Sequence, residues 1–136
     1  MESKHPEISR EKIKQNIREI LIYLGEDPDR EGLKDTPERV IKSWDTLFSG
    51  YKQDSEKILE RRFKDVGDYD ELVILDNIEF YSFCEHHMLP FIGKVHIGYI
   101  PDKEVLGISK LARLVDVHAR RLQTQELMTS GIANDI

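Results

Sequence analysis

The sequence predicts an α+β fold, because three patterns follow one another along its 136 residues. Apolar residues recur at helical spacing before residue 50, follow strand patterns between residues 72 and 100, and return to helical spacing after residue 108. The predicted order is therefore helices, then two strands, then helices. A two-stranded sheet is rarely stable alone, so we expect this sheet to need further strands that the chain does not supply.

Two helices are predicted in the N-terminal part of the chain. Isoleucines and leucines recur at helical spacing over residues 9–24, and Gly25 is suited to stop that helix. The second helix begins at Thr36, a good capping residue, and ends at Gly50. We also expect a short third helix within residues 54–63.

The central part of the chain predicts strands. Residues 72–75 and 78–83 are rich in β-branched and aromatic side chains, which favours a first strand. Residues 91–100 alternate between apolar and other residues, which favours a second strand. The run Pro-Asp-Lys-Glu at residues 101–104 predicts the turn that follows.

Two further helices are predicted after that turn. The first begins at Ser109, and the second begins near Gln125. The helix from Ser109 is expected to place five residues on one face: Leu111, Leu114, Val115, His118 and Leu122.

Composition excludes several classes of protein. A net charge of −6 argues against a general nucleic-acid binder, and no apolar run is long enough to span a bilayer. The N-terminus lacks the apolar core of a signal peptide, and the single cysteine, Cys84, suits a reducing compartment. We therefore expect a cytoplasmic protein with no nucleic-acid and no membrane partner.

The densest group of reactive side chains is Cys84-Glu85-His86-His87. Two residues separate Cys84 from His87, so a turn can bring sulfur and imidazole to one metal, and this pair suits zinc. His86 has a pKa range suited to proton transfer. The alternative is a buried free thiol beside solvated histidines, and two ligands alone do not make a zinc site.

Two other polar groups lie further along the chain. Residues 107–113 place Ser109, Lys110 and Arg113 at a helix start, where a phosphate can bind, although a capped and solvated helix end is the simpler interpretation. In residues 120–126, Gln125 and Glu126 offer an amide and a carboxylate to the N–H edge of a guanine. For the second group taken alone, a solvated junction between helices is the favoured interpretation.

Taken together, these groups resemble the GTP cyclohydrolase I family. The resemblance is carried by Cys84-Glu85-His86-His87 and by residues 93–99, 107–113 and 120–126, and residues 36–40 are similar to the family's N-terminal helical region. It extends over about residues 10 to 126. The resemblance implies zinc-dependent hydrolysis of GTP to 7,8-dihydroneopterin triphosphate and formate, the first step of folate and pterin biosynthesis.

The resemblance also assigns roles to individual residues. Zn²⁺ would be bound by Cys84 and His87, and His86 would transfer protons near the guanine. Six residues are implied to bind GTP: Ser109, Lys110, Arg113 and, as a weaker candidate, Lys42 for the triphosphate, with Gln125 and Glu126 for the guanine edge.

The implied architecture is a tunnelling fold, an antiparallel sheet with two antiparallel helices on one face, preceded by N-terminal helices. Family members are usually homodecamers with active sites between subunits. We expect an N-terminal helical region over residues 1–65 and an incomplete tunnelling-fold catalytic domain over residues 66–136.

The sequence also departs from the family pattern. The family's third zinc ligand is a downstream cysteine, whereas no cysteine follows Cys84, and Leu127 stands where the family usually has arginine. We therefore expect a fragment with little or no activity alone. One alternative is a catalytically inactive nucleotide- or zinc-binding or assembly fragment. Another is a different tunnelling-fold enzyme, such as a deazaguanine reductase, but those enzymes do not use a Cys-Glu-His-His run as a zinc site.

Overall fold

The computed structural model describes residues 7–64 and 69–136. The chain folds into two compact units, one ending at Thr46 and the other running from Leu47 to Ile136. The predicted domain boundary between residues 65 and 66 lies outside the described residues. Across the described part of the chain, no helix has the length and apolar character needed to cross a membrane.

The first unit contains two helices, as predicted. Helix α1 spans Arg10–Tyr23 and helix α2 spans Thr36–Leu47, the last residue of which belongs to the second unit. Gly25 follows α1 with a φ of +89°, the left-handed conformation expected of a glycine that stops a helix. The second helix ends at Leu47, not at the predicted Gly50, because residues 49–52 tighten into a 3-10 helix.

Ion pairs connect α1 with α2. Glu38 of α2 accepts hydrogen bonds from Lys14 at 3.0 Å and from Arg10 at 3.1 Å, both on α1. These bonds, that from Lys14 first, hold the pKa of the Glu38 carboxyl below its usual value.

The second unit begins with the 3-10 helix and continues with α3, which spans Ser55–Leu59. The predicted third helix over residues 54–63 is therefore shorter than expected. Its last two residues instead form strand β1, Arg62–Phe63, because they pair antiparallel with β4, Val105–Leu106.

The predicted central strands are confirmed as β2, Val73–Cys84, and β3, Pro90–Tyr99, which pair antiparallel. A bulge interrupts their register between Leu75 and Ile78. A third strand, β5, spans Leu122–Gln123 and pairs parallel with the end of β2. The expectation that the chain supplies no further strand to this sheet is therefore wrong, since residues after the long helix return to it.

Helix α4 spans Ile108–Ala119 and helix α5 spans Gln125–Asp135. Helix α4 begins one residue before the predicted Ser109 and ends before Leu122, which lies in β5 and not on the predicted helix face. The other four predicted core residues of α4 are buried: Leu111, Leu114, Val115 and His118. These residues fix α4 in the core. The N-terminal end of α4 is more exposed than its C-terminal end.

Candidate functional site

Main-chain hydrogen bonds fold Cys84-Glu85-His86-His87 into a tight turn between β2 and β3. The N–H of Cys84 donates to the carbonyl oxygen of Leu89 at 2.8 Å, and the N–H of Met88 donates to that of Cys84, also at 2.8 Å. Met88 closes the turn with a φ of +56°, a conformation uncommon for a residue with a Cβ. The turn thus gathers one thiol and two imidazoles at the end of β2. We call residues 84–87 the metal turn.

The metal turn favours the thiolate form of its cysteine. Hydrogen bonding by the main-chain N–H of His86, followed by the side chains of His87 and His86, lowers the pKa of the Cys84 thiol to about 7. The Cys84 Sγ atom lies 3.7 Å from Nδ1 of His86. A thiolate is the form that binds metal, so the turn presents Cys84 as a ligand near neutral pH.

The side chains of the metal turn are of the types that bind zinc, but they are too few to complete a zinc site. Thiolate and imidazole are both good zinc ligands, and a catalytic zinc usually takes three from protein. Within residues 7–64 and 69–136, no three Cys, His, Asp or Glu side chains gather closely enough to hold a metal ion. Both His86 and His87 interact with the thiol, so the geometry does not separate the predicted ligand His87 from the predicted proton-transfer residue His86.

Strand β5 ties the metal turn to the start of α5. The N–H of Glu85 donates to the carbonyl oxygen of Gln123 at 3.0 Å, and Cys84 pairs with Gln123 in the parallel ladder. Thr124 then caps α5 by accepting from the N–H of Leu127 at 3.2 Å. The predicted guanine-binding residues Gln125 and Glu126 follow in the exposed first turn of α5. The structure therefore brings them to the same end of the unit as the metal turn.

The predicted phosphate-binding residues lie at the start of α4. Ser109 and Arg113 are exposed and Lys110 is half-buried. Among the described residues, neither Lys110 nor Arg113 forms an ion pair with a carboxylate. Gly107 caps the helix without a side-chain hydrogen bond. Unpaired cations at the positive end of a helix suit an anion.

Within the second unit, the predicted site residues do not all lie together. Ser109 and His118 lie at opposite ends of α4. They are nine residues apart in the helix, which is roughly 14 Å along its axis. The metal turn lies near His118, because Gln123 contacts both His118 and Glu85. Lys42 belongs to the first unit, where its Nζ lies 3.8 Å from Glu38.

Sequence reasoning missed one connecting residue, Gln123. Its side chain is buried, with 7% of its surface exposed. The sequence shows it only as one polar residue near a helix junction, and no local pattern signals that both its amide and its main chain make long-range contacts.

Known proteins match this chain over the segments that contain the site residues. The model of the family described as GTP cyclohydrolase I matches residues 13–136. Over 124 residues the chain is 63% identical to GTP cyclohydrolase 1 of Wolinella succinogenes, a match that covers 91% of this chain and 66% of the relative. It is 53% identical over 129 residues to the protein of the same name from Bartonella bacilliformis, covering 95% of this chain and 63% of that one. The chain thus spans about two thirds of the length of these relatives.

Proposed function

Because the chain belongs to the GTP cyclohydrolase I family, we propose that it contributes to hydrolytic opening of the guanine ring of GTP. The observation that carries this proposal is the 3.0 Å hydrogen bond from Glu85 to Gln123, which joins the metal turn to the segment leading into Gln125 and Glu126. Groups suited to activate water and to read a guanine therefore share one end of the unit.

We assign the metal position to Zn²⁺, with Cys84 and His87 as ligands. Zinc, when bound, supplies a Lewis acid that lowers the pKa of its water. A further protein ligand is needed beyond the metal turn, since the described residues hold no group of three donors. His86 lies in the same turn and is the residue suited to transfer a proton to or from the opening ring.

Substrate recognition falls to the starts of two helices. Lys110 and Arg113, with the hydroxyl of Ser109, offer charge-assisted hydrogen bonds to the triphosphate, and Lys42 is a weaker candidate. Glu126 accepts from the N–H groups of the guanine edge and Gln125 pairs beside it. Adenine presents no matching pair of donors, so this arrangement selects guanine. The products would be 7,8-dihydroneopterin triphosphate and formate.

We further propose that the active site forms between copies in a homo-oligomer, with the family's decamer as the expected state. Two features support assembly. The phosphate and guanine groups lie at opposite ends of α4 in one chain, and β3 is an edge strand of its described sheet. An unpaired edge is suited to pairing with another chain.

A second candidate function is binding of GTP or zinc without turnover. It is favoured by the absence, among the described residues, of a third metal donor beside the metal turn. Under this alternative, residues 109–113 and 125–126 would still bind the nucleotide.

Two assays on the purified chain separate these functions. Zinc and GTP are added, and pterin is measured by absorbance after oxidation. Binding of GTP and ATP is measured by calorimetry. The matched variants are Cys84→Ser for the metal ligand and Ser130→Ala, an exposed residue of α5, as control.

Turnover that a chelator and Cys84→Ser both abolish supports the enzyme, whereas the Ser130→Ala variant keeps wild-type turnover. GTP binding without any pterin, and with weaker binding of ATP, supports the binding function. A folded chain that neither turns over GTP nor prefers it to ATP contradicts both the enzyme and the nucleotide-binding function.

A further inference from the structure

Gln123 lies in β5, at the junction between α4 and α5. Its buried amide donates from Nε2 to the carbonyl oxygen of His118 at 2.8 Å. Its own main-chain carbonyl accepts from the N–H of Glu85 at 3.0 Å. One residue thus contacts the end of α4 with its side chain and the metal turn with its main chain.

The carbonyl of His118 needs such a partner. Helix α4 ends at Ala119, and the last four carbonyls of a helix lack a partner within it. A buried carbonyl without a hydrogen bond is destabilising. The Gln123 amide fills that role, and the bond fixes where β5 leaves α4.

The same bond also sets the start of α5. Thr124, the next residue, is the N-cap that accepts from Leu127 at 3.2 Å. Any movement of Gln123 therefore moves the first turn of α5 and the acceptor of the Glu85 hydrogen bond together.

We propose that Gln123 is a positioning residue that holds the metal turn in register with the first turn of α5. Its side-chain bond to His118 keeps β5 against β2, and β5 in turn holds Glu85. The effect on metal binding rests on the proposed function, whereas the effect on Glu85 does not.

The test uses the full chain with three variants. Gln123→Met keeps the side-chain length without the amide, and Gln123→Asn keeps the amide but is too short to reach His118. Gln53→Met changes an exposed glutamine of the same unit and serves as control. Amide hydrogen exchange is followed at Glu85 and, as a reference for opening elsewhere in the unit, at Leu106, whose N–H donates to the Tyr99 hydroxyl at 2.8 Å. Cobalt affinity and the thiolate–cobalt absorption band report the metal turn.

We expect Gln123→Met and Gln123→Asn to speed exchange at Glu85 at least about tenfold more than at Leu106. Cobalt affinity should fall on the order of tenfold, the range found when groups supporting metal ligands are removed. The Gln53→Met variant should match the wild type. Should Gln123→Met not fold, the Gln123→Asn variant decides the result.

Equal acceleration at Glu85 and Leu106, or no change at either in a folded variant, overturns the positioning role. Cys84→Ser separates the two proposals. If it leaves cobalt binding unchanged, the metal assignment fails, while the exchange rates at Glu85 still decide the role of Gln123.

Discussion

The two ends of α4 are held in opposite ways. At its C-terminal end, His118 is buried and its Nε2 lies 2.7 Å from Asp135 of α5. The N–H of Gly50 donates to the carbonyl oxygen of Arg120 at 3.1 Å, and Gln123 donates to that of His118. This closed end joins four segments of the second unit.

The N-terminal end is open by contrast. Gly107 offers no side-chain cap, and Ser109 and Arg113 are exposed. The two ends of α4 therefore differ in what they leave accessible. Its closed end fixes the geometry beside the metal turn, and its open end leaves cations available to an anionic ligand.

The largest effect on stability is expected from Gly50→Ala at the closed end. A Cβ there would overlap the carbonyl oxygen of Val117 and lie 2.8 Å from that of Arg120, and neither main-chain atom can move without shifting α4. We expect the free energy of unfolding to fall by about 3 kcal/mol or more, measured by urea denaturation.

Gly107→Ala is the matched control at the open end. Its Cβ would lie 3.3 Å from the Phe63 ring and 3.6 Å from Cγ of Lys110, both side-chain atoms that can give way. The loss should stay below about 1 kcal/mol, because alanine is a poorer N-cap than glycine but meets only side-chain atoms here. Equal losses in the two variants would contradict the distinction between the ends.

A smaller effect is expected from Asp135→Asn, which weakens the pair with His118. Burial raises the pKa of the Asp135 carboxyl, but hydrogen bonds from His118 and Ser55 outweigh it and hold the pKa below its usual 3.8. A lowered folded-state pKa means that the carboxylate stabilises the fold above pH 3.8 and loses this effect as the pH falls through the folded-state value.

The unfolding free energies of wild type and Asp135→Asn should therefore differ by about 1 kcal/mol near neutral pH and converge in acid. Urea denaturation across the acid range measures this. Asp102→Asn, which changes an exposed carboxylate on the predicted turn, is the control. Its difference in unfolding free energy from the wild type should not change across the same pH range. A difference that persists in strong acid would mean that packing, not the hydrogen bond between His118 and Asp135, is responsible.

The elements of the fold that could be predicted from the sequence are those with a local signal. Periodic apolar residues, which are a local signal, occur in strands β2 and β3 and in helices α1, α2 and α4. Strands β1, β4 and β5 have two residues each, too few to show an alternating apolar pattern. They exist only because of their partners, so only the folded chain reveals them.

The candidate site divides in the same way. Cys84, His86 and His87 are neighbours in sequence, so their gathering in one turn could be predicted. The contact of Gln123 with Glu85, and that of His118 with Asp135, join residues far apart in sequence. Periodicity could place His118 on the buried face of α4. It could not identify Asp135 as its partner, because that contact depends on how α5 packs against α4.

The geometry of the metal turn can be tested at Met88. Its φ of +56° is left-handed, which disfavours β-branched side chains most strongly. Met88→Val should therefore cost about 1–2 kcal/mol of unfolding free energy and weaken cobalt binding. Met88→Gly relieves the backbone and should keep the cobalt affinity of the wild type. Weaker binding in Met88→Gly than in Met88→Val would show that the methionine side chain, and not the backbone conformation, supports the metal turn.

The smallest effect on stability is expected at the open end, where binding should suffer most. Replacing Lys110 and Arg113 together by alanine removes two cations that pair with no carboxylate among the described residues. Unfolding free energy should change by less than about 0.5 kcal/mol.

Affinity for inorganic triphosphate should fall at least about tenfold, since each charged hydrogen bond contributes about 1.5–3 kcal/mol. Calorimetry at low and high salt would measure the loss. Replacing the exposed residues Lys57 and Lys94 together by alanine removes the same two positive charges elsewhere and controls for net charge. An equal loss of affinity in that control would show that triphosphate responds to overall charge and that the open end of α4 is not a binding site.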